Sequence, residues 1–159
     1  QEQLRVARGR RLSINQSDVT ISGWAIECRI NAEDPDRGFA PSPGRIDLLR
    51  MPGGPGIRVD SGVEDGDVVA SEFDSMIAKV ISFGTNRTEA IARLDRALAQ
   101  MRVVIRDGTS NKGFVRELLS HDDFRTNRID VGWLDRLTHR TAPAEETELD
   151  AIMRASLSV

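Results

Sequence analysis

The chain has 159 residues, of which 39% are apolar and 30% are charged, and its net charge is −3. This composition fits one folded domain, argues against intrinsic disorder, and provides no basic field of the kind that binds nucleic acid. A single cysteine excludes an intrachain disulfide, two histidines give little support for a zinc site, and no apolar run reaches the roughly 18 residues of a membrane span.

Residues 1–9 predict the end of a helix, and residues 13–22 are polar and turn-rich, as in a connector. The chain opens on Gln1 rather than Met, and no signal peptide is visible. We therefore expect a piece of a longer protein. A basic cluster at residues 8–11 fits a phosphate contact or, better, a solvated helix C-terminus.

Apolar and polar residues alternate from residue 24 to residue 30, which predicts a half-buried strand. Cys28 falls on the apolar face, where a small core residue is a better interpretation than a nucleophile. Glu27 and Arg29 fall on the polar face. They belong either to a site or to an exposed charged face, and spacing alone favours the exposed face.

A glycine-rich loop at residues 52–56 separates two further predicted strands, at residues 45–51 and 57–60. The loop lacks the Lys-Ser or Lys-Thr of a phosphate-binding loop and no helix follows it, so we interpret it as a place of close strand approach. Arg58 points away from the core beside this loop. A guanidinium there holds an anion or pairs with Asp60, and spacing alone leaves both open.

A nearly apolar run at residues 76–83 predicts a strand that contains Lys79. This lysine does not fit a biotin or lipoyl attachment site, because it lacks flanking methionines and lies within a strand. Asn86, with Glu89 three residues later, predicts a capping box and a helix that continues to Met101.

A short strand is predicted at residues 103–105, and Ser110 or Asn111 is expected to cap a second helix. His121 lies at the polar end of that helix, where a capping role is a better interpretation than a catalytic one.

Residues 131–137 predict a last helical turn with Trp133 and Leu134 inside, and residues 138–159 form a polar tail, either a helix or a linker. The order is a helix, several antiparallel strands with short turns, and then helices. It predicts an α+β fold, an antiparallel β-sheet with flanking helices.

Five blocks of this sequence, together about a quarter of its length, resemble the C-terminal domain of biotin carboxylase. They lie, in chain order, at residues 27–35, 39–44, 53–61, 73–79 and 86–91. The similarity extends to the Ser110-Asn111 pair and covers roughly residues 1–137 in all. Residues 131–136 look most like actinobacterial-type or single-chain acyl-CoA carboxylases.

The resemblance implies a parent enzyme, a ligase of fatty acid metabolism, that uses ATP, Mg²⁺ and bicarbonate to carboxylate biotin on a carrier domain. It divides the chain into the end of an ATP-grasp region with a connector (1–22), the biotin carboxylase C-terminal domain (23–137) and the tail (138–159). ATP and metal would bind mainly before residue 1. We therefore expect no metal ligands in this piece and no activity from it alone.

The resemblance also implies roles for individual residues. Arg58 matches the family arginine expected beside the ureido ring of biotin, where a permanent cation stabilises a developing enolate. A supporting role around this catalytic and substrate-binding residue is expected for five other matching positions: Glu27, Arg29, Asp60, Asp74 and Lys79.

Phe83 and Arg87 fall where the family places residues of a dimer interface. Further along the chain the match to the family fails at residues 106 and 107. The family commonly has an acid and a glycine where this chain has Arg106 and Asp107. Either the charge pairing is rearranged or the alignment slips by one residue, so the family dimer is an open expectation here.

The implied partners are a biotin carboxyl carrier domain, a carboxyltransferase component and a second copy of the chain, in the cytoplasm, without nucleic acid or membrane. Two alternatives stay open: a non-catalytic docking or dimerisation module, and the equivalent domain of a pyruvate or urea-type carboxylase.

Overall fold

The computed structural model describes residues 1–138, so the predicted tail lies, after Thr138, outside the described residues. The helices are α1 (Glu2–Ala7), α2 (Arg87–Gln100), α3 (Lys112–Ser120), α4 (Asp122–Arg125) and α5 (Trp133–Thr138). The strands are β1 (Trp24–Asn31), β2 (Glu33–Asp34), β3 (Ala40–Pro41), β4 (Gly44–Arg50), β5 (Ile57–Ser61), β6 (Val68–Val69), β7 (Met76–Gly84) and β8 (Arg102–Ile105). Short 3-10 helices lie at Gln16–Asp18 and Pro35–Arg37. The predicted α+β class, with antiparallel strands and flanking helices, is confirmed.

The first sheet has the order β1-β7-β5, with every pair antiparallel. Alternation in β1 turns Ile26, Cys28 and Ile30 toward the core, as predicted, and leaves Glu27 and Arg29 exposed on the outer face. Because β7 is central, β1 and β5 are both edge strands.

The second sheet has the order β6-β4-β8, and β2 and β3 pair separately as a short two-stranded ladder. A bulge interrupts the pairing of β4 with β8 between Ile46 and Leu48. Because the bulge shifts the alternation of β4, Ile46 and Leu49 both reach the core, with exposures of 0% and 7%.

Helix α2 covers the inner face of the first sheet. Its core-facing residues are Ala90, Leu94, Ala97 and Leu98. The Ser82 hydroxyl on β7 donates to the Ala90 carbonyl at 2.9 Å, and a Cβ at Gly84 would lie only 2.6 Å from the Ala90 nitrogen. The glycine therefore permits the close approach of β7 and α2.

The glycine-rich loop before β5 allows a second close approach, as predicted. Gly56 has φ of +71°, and a Cβ there would lie 2.5 Å from the Phe83 carbonyl oxygen. The Phe83 N–H donates to the Gly56 carbonyl at 2.7 Å. The loop thus joins the start of β5 to the end of β7.

The predicted capping residues are present, but two of them bond differently from the prediction. The Asn86 side chain accepts from the Glu89 N–H, as expected, whereas the Glu89 carboxylate accepts from Thr85 and not from Asn86. These hydrogen bonds from Thr85 lower the pKa of Glu89. His121 does act as a cap, and the helix it caps is α4: its Nδ1 accepts from the Asp123 N–H at 3.2 Å.

The last described helix is present. Of the two residues predicted to face inward, Trp133 does so, whereas the prediction for Leu134 is wrong. Trp133 is partly buried and packs edge-on to the His121 ring, with centroids 5.2 Å apart. Leu134 is 38% exposed. A helix of six residues offers only a narrow buried stripe, and Trp133 occupies it.

Candidate functional site: a charged sheet face

The outer face of the first sheet brings together most of the predicted site residues. Its charged side chains come from all three strands: Glu27, Arg29, Arg58, Asp60 and Lys79. We call this set the charged face. The register places it in two rows, because Ile81 pairs with Glu27 and Arg58, and Lys79 pairs with Arg29 and Asp60. Side chains in such cross-strand rows are direct neighbours.

Arg58 and Asp60 form an ion pair on the edge strand β5. Arg58 Nε donates to Asp60 Oδ1 and Nη2 lies beside Oδ2, each at 3.0 Å. The hydrogen bond and charge of Asp60 raise the pKa of Arg58, with a smaller contribution from Glu27. The guanidinium is 74% exposed and stays cationic. Of the two interpretations left open by the sequence, the pairing with Asp60 is therefore present in the structure.

Arg29 and Lys79 stand directly opposite each other on β1 and β7. Within residues 1–138, neither side chain forms a salt bridge. Like charges at such a position destabilise a sheet. The one carboxylate across from Lys79, that of Asp60, is turned to Arg58. The charged face thus holds two neighbouring cations, neither of which forms a salt bridge within residues 1–138.

Asp74 lies outside the charged face, in the exposed turn before β7. Its Oδ1 accepts from the Met76 N–H at 3.2 Å, as is usual for an aspartate in a turn. The next residue, Ser75, donates to the Glu33 carboxylate at 2.7 Å. A supporting role for Asp74 stays a prediction, and the contact that the structure gives it is local.

Phe83 and Arg87 have different environments. Phe83 is 45% exposed, and its ring packs over Gly23, where a Cβ would lie 2.5 Å from the ring. Arg87 donates to the Phe124 carbonyl, and its guanidinium lies 4.9 Å from the Phe124 ring and 5.9 Å from that of Trp24. Arg87 is therefore engaged within the chain, and its place in a dimer interface stays a prediction.

The departure from the family pattern at Arg106 and Asp107 has a structural counterpart. Arg106 makes a two-pronged pair with Asp47, with both nitrogen–oxygen distances 3.0 Å. Asp107 has φ of +57°, a left-handed conformation that glycine adopts most easily. The pairing is thus provided by β4, and Asp107 occupies a glycine-like position.

Asn111 is the residue whose contacts differ most from the sequence-based expectation. It is 8% exposed, and its side chain makes no hydrogen bond to α3. Its amide bonds instead to the backbone of Arg29 and Asn31, about 80 positions earlier. The sequence pattern of a helix cap cannot predict such a distant partner. The one indication in the sequence was that Arg29, Asn31 and Asn111 all lie in segments that resemble the family.

Cys28 is not a candidate nucleophile. Burial is the main cause that raises the pKa of its thiol to about 12, and the charge of Glu27 acts in the same direction. The thiolate is therefore scarce at neutral pH, and Cys28 acts as a core residue, as the sequence indicated.

Within residues 1–138, no group of three or more His, Cys, Asp or Glu side chains is arranged to hold a metal ion. In the same residues, no helix has the length and apolar character needed to cross a bilayer. A groove of about 1570 Å³ lies between α2, β8 and α3, and none of the predicted site residues lines it. Most of the predicted site residues therefore lie on the open charged face, and none lies in this groove.

Comparison with known proteins gives the family. A profile described as "Biotin carboxylase C-terminal domain" matches residues 27–136. Biotin carboxylase 1 of Bacillus subtilis is 47% identical over 134 residues, which are 84% of this chain and 29% of that protein. The human mitochondrial propionyl-CoA carboxylase alpha chain is 39% identical over 160 residues, with 96% of this chain and 22% of that protein covered.

Solved structures agree. The biotin carboxylase domain dimer of Hydrogenobacter thermophilus 2-oxoglutarate carboxylase, in complex with MgADP, ADP and bicarbonate, superposes with a TM-score of 0.83 at 36% identity. The match covers 90% of this chain and 31% of that one. The chain thus spans less than a third of the length of these relatives. Its sequence and its fold together show that the chain belongs to the biotin carboxylase C-terminal domain family.

Proposed function

We propose that this chain is the C-terminal part of a biotin carboxylase component, whose parent carboxylates carrier-bound biotin with ATP and bicarbonate. Family membership supports this, as do relatives named as biotin carboxylases, as a component of pyruvate carboxylase and as the propionyl-CoA carboxylase alpha chain. ATP and Mg²⁺ would be held by the remainder of the parent. This chain alone would turn nothing over.

The observation that carries the proposal is the charged face. When biotin loses its N1 proton, negative charge develops on the ureido oxygen, and a fixed guanidinium lowers the energy of that oxyanion without transferring a proton. Arg58 is the residue to which the resemblance assigns this role. Its pairing with Asp60 fixes the plane of the guanidinium but also offsets part of its charge.

Arg29 lies on the same face and forms no salt bridge within residues 1–138. Lys79 opposite adds to the local positive field. We propose that Arg58, oriented by Asp60, makes the contact with the ureido oxygen, and that Arg29 and Lys79 support it through their positive charge.

The finer assignments are part of the proposal. We favour an acyl-CoA carboxylase of fatty acid metabolism, located in the cytoplasm, with a carrier domain, a carboxyltransferase and a second copy as partners. A pyruvate or urea-type carboxylase is the enzyme alternative. A docking module without catalytic residues is the alternative from another class.

The test is ATP hydrolysis by the full-length parent, with and without free biotin and bicarbonate. We expect a rate that requires both compounds, that falls at least about tenfold in Arg58→Ala, and that falls by a smaller factor in Arg29→Ala. Arg116→Ala is the matched control, since Arg116 pairs with Asp95 on the other side of the molecule. Hydrolysis that ignores biotin, or arginine variants that match the control, would support the docking module.

A further inference from the structure

The groove between α2, β8 and α3 is wide enough for a segment of polypeptide. Its volume is about 1570 Å³. Pockets that enclose small ligands usually measure about 300–1,000 Å³, so this groove exceeds what a small molecule needs. The apolar part of its lining comes from all three elements: Ile91, Val104, Ile105, Phe114 and Leu119.

The edge strand β8 lines this groove. It is the last strand in the order β6-β4-β8, and within residues 1–138 it pairs with β4 alone. Three of its four residues, 103–105, belong to the lining. An exposed edge can pair with another chain, and folded proteins commonly cover such an edge with a helix or a loop. We therefore expect the edge of β8 to be covered.

The described part of the chain ends close to the groove. The last helix, α5, packs through Trp133 on His121 and Phe124, with ring centroids 5.2 and 6.4 Å apart. The residue after Phe124, Arg125, lines the groove. The sequence beyond α5 thus starts beside the groove, and ten extended residues of it can reach about 33 Å.

The sequence beyond α5 contains a segment with an apolar stripe. Leu149, Ile152, Met153 and Leu157 follow helical spacing. As a helix, residues 149–157 would be about 13 Å long and about 10 Å wide, a volume on the order of 1,000 Å³ that the groove can hold. A short tether keeps such a segment at an effective concentration in the millimolar range, so a weak apolar contact is enough to dock it.

We propose that residues 149–157 form an amphipathic helix that docks in the groove, with the apolar stripe toward Ile91, Phe114 and the edge of β8. Ile91 is half-buried on α2, and the Phe114 ring is held edge-on by Phe39 at 4.9 Å. Docking removes the remaining contact of these side chains with water and covers the strand edge. The tail is then part of this domain and not a free linker. The inference does not depend on the proposed function.

The experiment attaches a nitroxide spin label to Ala151→Cys in the 159-residue chain and records the amide NMR signals of the isotope-labelled protein. Ala151 lies opposite the apolar stripe in the proposed helix, so the label does not block docking. Cys28 does not compete for the label, because burial raises the pKa of its thiol to about 12. The wild-type chain, treated with the same reagent, is the control for this point.

We expect the label to broaden the amide signals of Ile91 and Phe114 and to leave that of Asp60, on the outer face of the first sheet, sharp. Met153→Asp places a charge within the apolar stripe, and burial of that charge is costly, so the broadening should be lost. Ser158→Asp adds the same charge on the opposite side of the helix. It is the matched control and should keep the broadening.

Three outcomes would overturn the inference. Unchanged groove signals would mean that the tail does not dock there and that another partner covers the edge of β8. Broadening that persists in Met153→Asp would mean that the stripe does not make the contact. If a spin-labelled chain broadens the groove signals of a separate chain that carries no label, the occupant is the tail of a second copy.

Discussion

The two larger sheets of this chain both expose charged residues, but the salt-bridge pairing of those residues differs between them. On the second sheet, Arg106 pairs with Asp47, and Arg50 pairs with Asp65. On the first sheet, Arg29 and Lys79 face each other, and neither forms a salt bridge within residues 1–138. The arginines of the first arrangement are each paired with a carboxylate. The second leaves positive charge available for a group that this part of the chain does not provide.

The pKa values of the paired residues reflect the same contrast. Hydrogen bonds from Arg50 and from the Leu49 N–H lower the pKa of Asp65, and the pair with Asp47 raises the pKa of Arg106. A lowered carboxylate pKa stabilises the fold above the unfolded-state value, and that contribution is lost as the pH falls through the folded-state value. The charges of the second sheet therefore contribute to stability.

Both sheets share one core, so a core substitution should not distinguish them. Leu94 is fully buried between α2 and the first sheet and belongs to the same cluster as Ile46 of the second. Leu94→Ala should lower the free energy of unfolding of this chain by about 2–5 kcal/mol. Urea denaturation measures it. A loss below about 1 kcal/mol would mean that the core collapses around the deletion or is not shared.

A substitution on the charged face should change stability and activity in opposite directions. Lys79→Met removes the repulsion with Arg29 and keeps the length of the side chain. We expect the chain to gain roughly 0.2–1 kcal/mol in urea denaturation, while the parent enzyme loses affinity for biotin. A destabilised variant would show that Lys79 has a favourable partner, and the contrast between the sheets would fail.

The smallest effect is expected on the second sheet. Asp47→Ala breaks an exposed pair with Arg106, and exposed pairs contribute little. The thermal midpoint of the chain should fall by roughly 1–3 °C, and the biotin-dependent rate of the parent should not change. A clear loss of that rate would place functional charge on the second sheet as well.

Local patterns predicted the longer elements of this fold, but they did not predict the two-residue strands β2, β3 and β6 or the short helix α4. The alternation from residue 24 to residue 30 placed Glu27 and Arg29 opposite the core, and the glycine-rich loop indicated a close strand approach. These features depend on neighbours in the chain. The matching blocks then gave the family, which comparison confirmed.

Contacts between distant residues were beyond such patterns. Spacing could not decide whether Arg58 binds an anion or pairs with Asp60, because both choices use the same strand face. The cross-strand meeting of Arg29 and Lys79 depends on register, and the bond from Asn111 to Arg29 joins α3 to β1. Leu134 was misplaced because the partly buried residues of this helix are Trp133 and Leu137, four positions apart on one face, and Leu134 lies off that face.

On the charged face, the Arg58 guanidinium is proposed to stabilise the biotin enolate. The most direct measurement is kcat/KM for free biotin in the full-length parent, compared between Arg29→Ala and Arg58→Ala. We expect kcat/KM to fall at least about tenfold in Arg58→Ala and by a smaller factor in Arg29→Ala. A larger loss in Arg29→Ala, or a wild-type value in Arg58→Ala, would contradict the assignment of the enolate contact to Arg58.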